Sequence, residues 1–278
     1  LPFLRKDRTI KPWDQTPRSQ HALIQTVGYA KHTAKPFERI YFRGEKELYK
    51  TLSPTAYRKI TTAAGQAKRH KYINEVLGQF RSQCEISAKF DTSAHEPLLQ
   101  HYGISTTWID LVDNIWVAIW FSVHRAFAAG DGRYIHFDRR SADDGSEYGY
   151  ILLVVVDSGS RSGGLKKGFM IGRNTKTIDL RVAAPSVFLR PHAQHGLLFR
   201  PKATRPTVGS PARPLDYSSH VFGIIKFRLC DALRWLGSGD LHSVRALFPP
   251  PFHDDGYRIL LNANLHHEQI GTIHHIGA

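Results

Sequence analysis

The chain has 278 residues, 41% hydrophobic and 11% aromatic, which is enough to build a core and too apolar for a disordered segment. Its longest apolar runs, Ile151 to Val156 and Ile115 to Phe121, fall far short of the roughly 20 residues that span a bilayer. No signal-type stretch follows Arg5, Lys6 and Arg8, so no membrane partner is expected.

The net charge of +14 is unevenly placed. Residues 1–81 hold 17 Lys+Arg against 6 Asp+Glu, residues 161–234 hold 14 against 3, and residues 82–160 reverse the balance with 5 against 11. Such a field attracts polyanions, and segments 1–81 and 161–234 are where nucleic acid would bind. Cys84 and Cys230 make no disulfide framework and read as buried or half-buried thiols of a cytoplasmic or other reducing intracellular compartment. Leu1 in place of an initiator Met marks a processed or partial chain.

In chain order, residues 1–39 read as a basic extension with a short helix over His21 to Ala30, and Ile40 to Phe42 as a strand ending at Arg43-Gly44. Apolar residues from Tyr72 to Cys84 recur at helical spacing and predict a helix over Lys68 to Phe90. Ile104 to Ile109 reads as extended. Asp113 or Asn114 then caps a helix that is apolar nearly all round, and therefore buried, predicted to reach about Ala128. Tyr148 to Val156 lacks alternation, as a central strand buried on both faces would. Strands are further predicted at Val187 to Leu189, Gly196 to Phe199 and Phe222 to Phe227, with a loop over residues 201–214 and a flexible turn over Gly159 to Gly168. Asp231 to Leu236 reads as a helix stopped by Gly237. A last unit holds Tyr257 to Leu261 and a His-rich end packed on the same domain. The irregular alternation of helices and strands favours α+β.

Three blocks carry chemistry. Arg43 closes an apolar run, where a guanidinium grips phosphate or ribose oxygens bidentately, or else pairs with a carboxylate such as Asp110; Gly44 allows a ligand close to the backbone. His101-Tyr102-Gly103 leads into Ser105-Thr106-Thr107-Trp108 and Asp110, and Gln194-His195-Gly196 opens a later strand. Lys68-Arg69-His70-Lys71 reads as the solvated face of a helix. His266-His267-Glu268 and His274-His275 match no strong zinc pattern, so no metal is predicted.

Read together, these blocks resemble the FRG domain over residues 40–252. The likeness extends to Arg190 with Gln194 and Gly196, and to Leu247-Phe248-Pro249. Ser105, Thr107, Trp108 and Leu111 depart from the family wording, and the segment is also similar to ADP-ribosyltransferases. That second resemblance implies a split β-sheet with flanking helices and NAD as substrate. It implies that Arg43 and Gly44 hold the NAD phosphates or ribose, that Ser105 and Thr106 shape the nicotinamide pocket, and that Tyr102 or Trp108 stacks on it. Gln194 stands where a catalytic glutamate is expected, and an amide brings no negative charge. The carboxylate that stabilises the developing cation would come from Asp110, Glu45 or Glu268, with His101 or His195 as acid/base groups. A nucleic-acid acceptor, and a toxin, effector or defence role, follow as expectations. A non-catalytic nucleic-acid-binding module and an NAD-independent phosphodiester hydrolase using His101 or His195 with Asp110 stay open on the same residues.

Overall fold

A computed structural model describes residues 17–130, 132–141, 147–157, 166–202 and 215–277. Ser19 accepts from the Ala22 amide and starts α1 (Gln20–His32), which buries Leu23, Val27 and Ala30. In β1 (Glu38–Glu45) Ile40 and Phe42 enter one core, and Tyr41 packs against another on the opposite face. α2 (Ala63–Gln83) starts before Lys68 and ends well before Phe90, because Glu85–Lys89 tightens into a 3-10 turn. α3 (His95–Tyr102), which the periodicity did not reveal, stops at Gly103 with φ +124, a conformation that side chains rarely tolerate.

Residues 104–108 are irregular rather than a strand, since the Thr106 and Thr107 amides bond to the side chains of Gln100 and Glu96 in α3 instead of a ladder; only β2 (Ile109–Val112) is extended. Asn114 caps α4 (Ile115–Val123) by accepting from the Trp116 amide. The predicted extension of this helix to Ala128 is wrong. Residues His124–Ala129 form β3, which pairs antiparallel with β4 (Tyr134–Arg139). The helix can end there because its last carbonyls find other donors. Arg140 Nη1 reaches Ser122 O at 2.7 Å, the Arg140 amide reaches Val123 O, and His124 Nδ1 reaches Trp120 O at 2.8 Å.

β5 (Tyr148–Asp157) feeds alternate side chains into two cores, as its unbroken apolar run predicts. β6 (Phe169–Ile171), β7 (Thr175–Asp179) and α5 (Leu180–Ala183) follow. The predicted strand at Val187 to Leu189 is instead a turn into α6 (Leu189–Ala193), where Pro191 sits in a first turn that needs no intrahelical donor. Then come β8 (Gly196–Pro201), β9 (Val221–Arg228), α7 (Leu229–Leu236), α8 (Val244–Leu247) and α9 (Asp255–Asn262). The His-rich end forms β10 (His266–His267), β11 (Gly271–Thr272) and β12 (His275–Ile276), the last pairing parallel with β4.

The main sheet runs β6-β7-β8-β2-β1-β5-β9 with antiparallel neighbours, so the molecule is α+β around one large antiparallel sheet. β5 is next to the edge strand, not central. One face is covered by two helical groups, α1, α4 and α7 over β1, β5 and β9, and α2, α3 and α9 over β7 and β8. Leu52 and Tyr217 cover apolar residues on the other face. The two helical groups meet above the β1–β2 junction, the weakest seam of the sheet, where Phe42 opposite Val112 is the one register pair. No helix among the described residues is long and apolar enough to cross a membrane.

Burial lowers the His124 pKa from 6.5 to about 4, against the Trp120 carbonyl and aided by Arg139. His95 and His274 are lowered by burial too. The unfolded chain therefore takes up protons that the folded one refuses, and stability rises with pH through this range. Stability should fall as pH drops from about 6.5 toward 4, with His124 alone contributing roughly 3 kcal/mol. Urea titrations across that window should show the acid slope flattened in His124→Asn; an unchanged slope would place the loss elsewhere.

Candidate functional site

A cleft of about 390 Å³ opens at the seam between the two helical groups. Its lining includes Arg43, Gly44, His101, Tyr102, Asp110 and Gln194, six of the residues singled out in sequence. Arg43 and Glu45, two apart on β1 and so on one face, pair at 2.5 Å. Arg43 Nη1 also donates to the backbone carbonyl of Asp110 at 2.9 Å, bridging strands that hold only one register pair. Its carboxylate partner is thus Glu45, which is half-buried rather than solvated, and Asp110 meets it through the main chain. Burial opposes the Arg43 charge, but Glu45 and Asp110 outweigh that and raise its pKa further. About a fifth of the Arg43 side chain stays exposed. Gly44 has a second reason to be glycine: a Cβ there would run into the Ala118 carbonyl of α4.

Asp110 is held by a chain of hydrogen bonds that begins in the irregular segment. The Thr106 amide and hydroxyl both donate to Gln100 Oε1, at 3.0 and 2.9 Å, which orients the amide so that Nε2 donates to Asp110 Oδ2 at 2.9 Å. His101 Nδ1 lies 3.2 Å from Asp110 Oδ1. That contact makes Nδ1 the protonated nitrogen, an assignment from the network. Its Nε2 is buried without a partner beside Gly196, so His101 orients the carboxylate and offers no free nitrogen to the cleft. Burial pushes the Asp110 carboxyl up, yet His101, Gln100 and Arg43 together bring its pKa below the ordinary aspartate value. The result is an ionised carboxylate with over a third of its side chain exposed in the cleft.

Ser105, Thr106 and Trp108 do not line this cleft. Thr106 is buried behind Gln100, Trp108 is buried under the Arg200 guanidinium at 4.4 Å, and the Ser105 amide donates to Ile270 O. Tyr102 lines the cleft but spends its hydroxyl on Asp254 at 2.8 Å. Gln194 Nε2 donates to Leu247 O at 2.8 Å. His195 lies in a separate cluster, 3.0 Å from Asp113, whose carboxylate together with that of Asp179 grips Arg181. Glu268 is exposed between β10 and β11. No group of three or more His, Cys, Asp or Glu able to hold a metal occurs among the described residues. Of the two thiols, Cys84 is buried and Cys230 is exposed, which corrects the expectation of two covered thiols.

Three lining residues had no site role from sequence, Gln100, His274 and Arg190, the last named only within the FRG-like block. Arg190 is 2% exposed, with its guanidinium over Tyr102, Tyr257 and Phe248 at 4.3, 4.5 and 5.3 Å. Nη1 makes one long bond to His101 O at 3.4 Å, while Nε and Nη2 have no partner. The nearby Asp254 carboxylate is occupied by Tyr102, the Arg190 amide and the Tyr257 amide. A positive charge thus sits at the cleft with aromatic faces instead of a counter-ion. His274, from the His-rich end that matches no strong zinc pattern, also lines the cleft and packs on Gly103. For Arg190 the available signals were its place in the FRG-like block and a charge in an otherwise apolar run; His274 gave none.

Residues 38–130 match the FRG domain. This FRG segment spans β1 to the β3–β4 turn and includes Phe42-Arg43-Gly44, Gln100, His101 and Asp110, but not Arg190, Gln194 or His274. The FRG match therefore supplies one wall of the cleft, and residues beyond it supply the other. No curated protein and no solved structure matches the chain.

Gln100→Leu cuts the relay while keeping bulk. It should raise the Asp110 pKa and cost about 1–3 kcal/mol, the toll of leaving buried polar partners unsatisfied. Carboxyl NMR titration and urea unfolding read both; an unshifted Asp110 would show that Gln100 does not hold it.

Proposed function

We propose that the cleft binds NAD and transfers its ADP-ribosyl group, with Arg43 on the donor's phosphates or ribose and Asp110 beside the scissile bond. In that reaction the bond between ribose C1′ and the nicotinamide nitrogen breaks, and nicotinamide leaves with the electron pair. The acceptor's nucleophilic atom bonds to C1′, and its proton passes to the Asp110 carboxylate. The observation that carries this reading is the convergence of Arg43 and the ionised Asp110 on one cleft at the parting of β1 and β2. A fixed carboxylate beside the ribose stabilises the positive charge that builds as the bond breaks, and it does so without reorganising. The volume fits the roughly 300–1,000 Å³ of small-molecule sites, and the second guanidinium, Arg190, adds a field suited to a diphosphate.

Some implied roles have no support here. With Ser105, Thr106 and Trp108 away from the cleft, the nicotinamide ring would meet Tyr102, Phe121 or Phe137 instead. A hydrolase in which His101 takes a substrate proton is disfavoured by its sealed Nε2.

The test is nicotinamide release from NAD by the purified protein. Asp110→Asn, which keeps shape and removes charge, should cut the rate by about 10²–10³. Arg43→Lys should weaken NAD binding by losing the fork geometry. No release by the intact protein, or full release by both variants, would end the proposal.

A further inference from the structure

In the antiparallel pair β7–β8, Lys176 stands directly opposite Arg200. Cross-strand partners point to the same face, and like charges so placed repel. Lys202 lies two residues beyond Arg200 on that face, its amide continuing the ladder to Asn174 O at 2.7 Å. Arg173 projects from the turn before β7. No carboxylate oxygen of the described residues lies within 4.0 Å of Arg173, Lys176 or Lys202, and the one near Arg200 is Glu96 at 3.9 Å. Burial first, then Arg200 and Lys202, lowers the Lys176 pKa. The four cations line one open groove. Its acid, Asp216, is already bonded to the Leu52 and Ser218 amides and the Ser218 hydroxyl. A fold that sets three cations without a carboxylate around Arg200, whose acid is 3.9 Å away, is relieved by an anion from outside.

We infer that this groove binds the phosphate backbone of a nucleic acid. Two arginines among the four favour phosphate, which takes guanidinium bidentately. The two tyrosines in its wall, Tyr57 and Tyr217, are 5% and 6% exposed, and Tyr217 spends its hydroxyl on Thr107 O, so neither is free to stack on a base. Cations such as these contact phosphate, which positions the backbone and carries no sequence information. Hydrogen bonds link the groove to the cleft: Arg200 Nη1 donates to Thr107 Oγ1 at 3.2 Å, and the preceding Thr106 anchors the Gln100–Asp110 relay. Thr107 lines the groove, and its neighbour Thr106 holds the relay behind the cleft. The groove thus presents the nucleic acid as the acceptor for Asp110, a role that rests on the transferase reading; binding itself does not.

The experiment measures fluorescence anisotropy of short labelled duplex and single-stranded oligonucleotides with the whole chain, across a salt series and without NAD. Four phosphate contacts on duplex predict a log–log salt slope of about −3 to −4. Lys176→Gln with Lys202→Gln should make the slope shallower by about 2 and weaken binding about tenfold or more. Removing one of two opposed charges relieves repulsion, so Lys176→Gln alone should not lower the thermal midpoint of the free protein. If the double variant fails to fold, Arg173→Gln in the exposed turn should reduce the slope by about 1. An unchanged slope in these variants overturns the inference, as does polyglutamate binding as tightly as the oligonucleotides. Since NAD is absent, a failed transferase assay leaves oligonucleotide binding intact, and failed binding leaves nicotinamide release to be judged separately.

Discussion

One guanidinium holds the two halves of the sheet together at the point where the backbone nearly lets go. β1 and β2 share the Phe42–Val112 register pair, and Arg43 reaches across the adjoining gap to the Asp110 carbonyl. Had the ladder continued, its hydrogen bonds would have closed the seam with main chain and left no room for a side-chain site. Because the strands part, two helical groups meet over the gap without filling it. The cleft, the exposure of Asp110 and the placing of both guanidiniums follow from that incomplete junction.

Polar groups around the gap are arranged by burial as much as by pairing. Asp110 stays ionised because its neighbours overcome the burial that would protonate it. Gln100 has no orientational freedom left once Thr106 has fixed its carbonyl. Arg190 is the exception. Its charge is kept with aromatic faces and one long bond, while a partner carboxylate nearby is committed elsewhere. A buried ion without a counter-ion is costly, and replacing it with an apolar side chain would be cheaper for the fold alone. Its retention beside a cleft accords with a ligand that is itself an anion.

Much of this was legible in the sequence, and the failures share a cause. Strands β1, β5, β8 and β9 announced themselves through short β-branched and aromatic runs. Arg43, Gly44, His101, Tyr102, Asp110 and Gln194 were singled out and do share one cleft. Ser105 and Thr106 read as a hydroxyl-bearing strand, but the Thr106 amide and hydroxyl bond to Gln100 of α3, a helix whose two histidines and one proline hid its period, and the Ser105 amide goes to Ile270 O. The α4 end was misplaced because Ala126, Ala128 and Ala129 favour helix locally, while pairing with β4 and capping by Arg140 are set by residues distant in sequence. Charge by segment pointed to residues 161–234, yet only register showed Lys176 facing Arg200.

The most direct measurement is a crystal structure of the protein grown with ADP-ribose, the portion of NAD that the cleft would grip. The account predicts density at the β1–β2 seam, with phosphate or ribose oxygens within hydrogen-bond distance of the Arg43 guanidinium and a ribose hydroxyl on the Asp110 carboxylate. Ordered ligand elsewhere on the molecule, with the Arg43–Glu45 pair and the Asp110 carboxylate untouched, would contradict it.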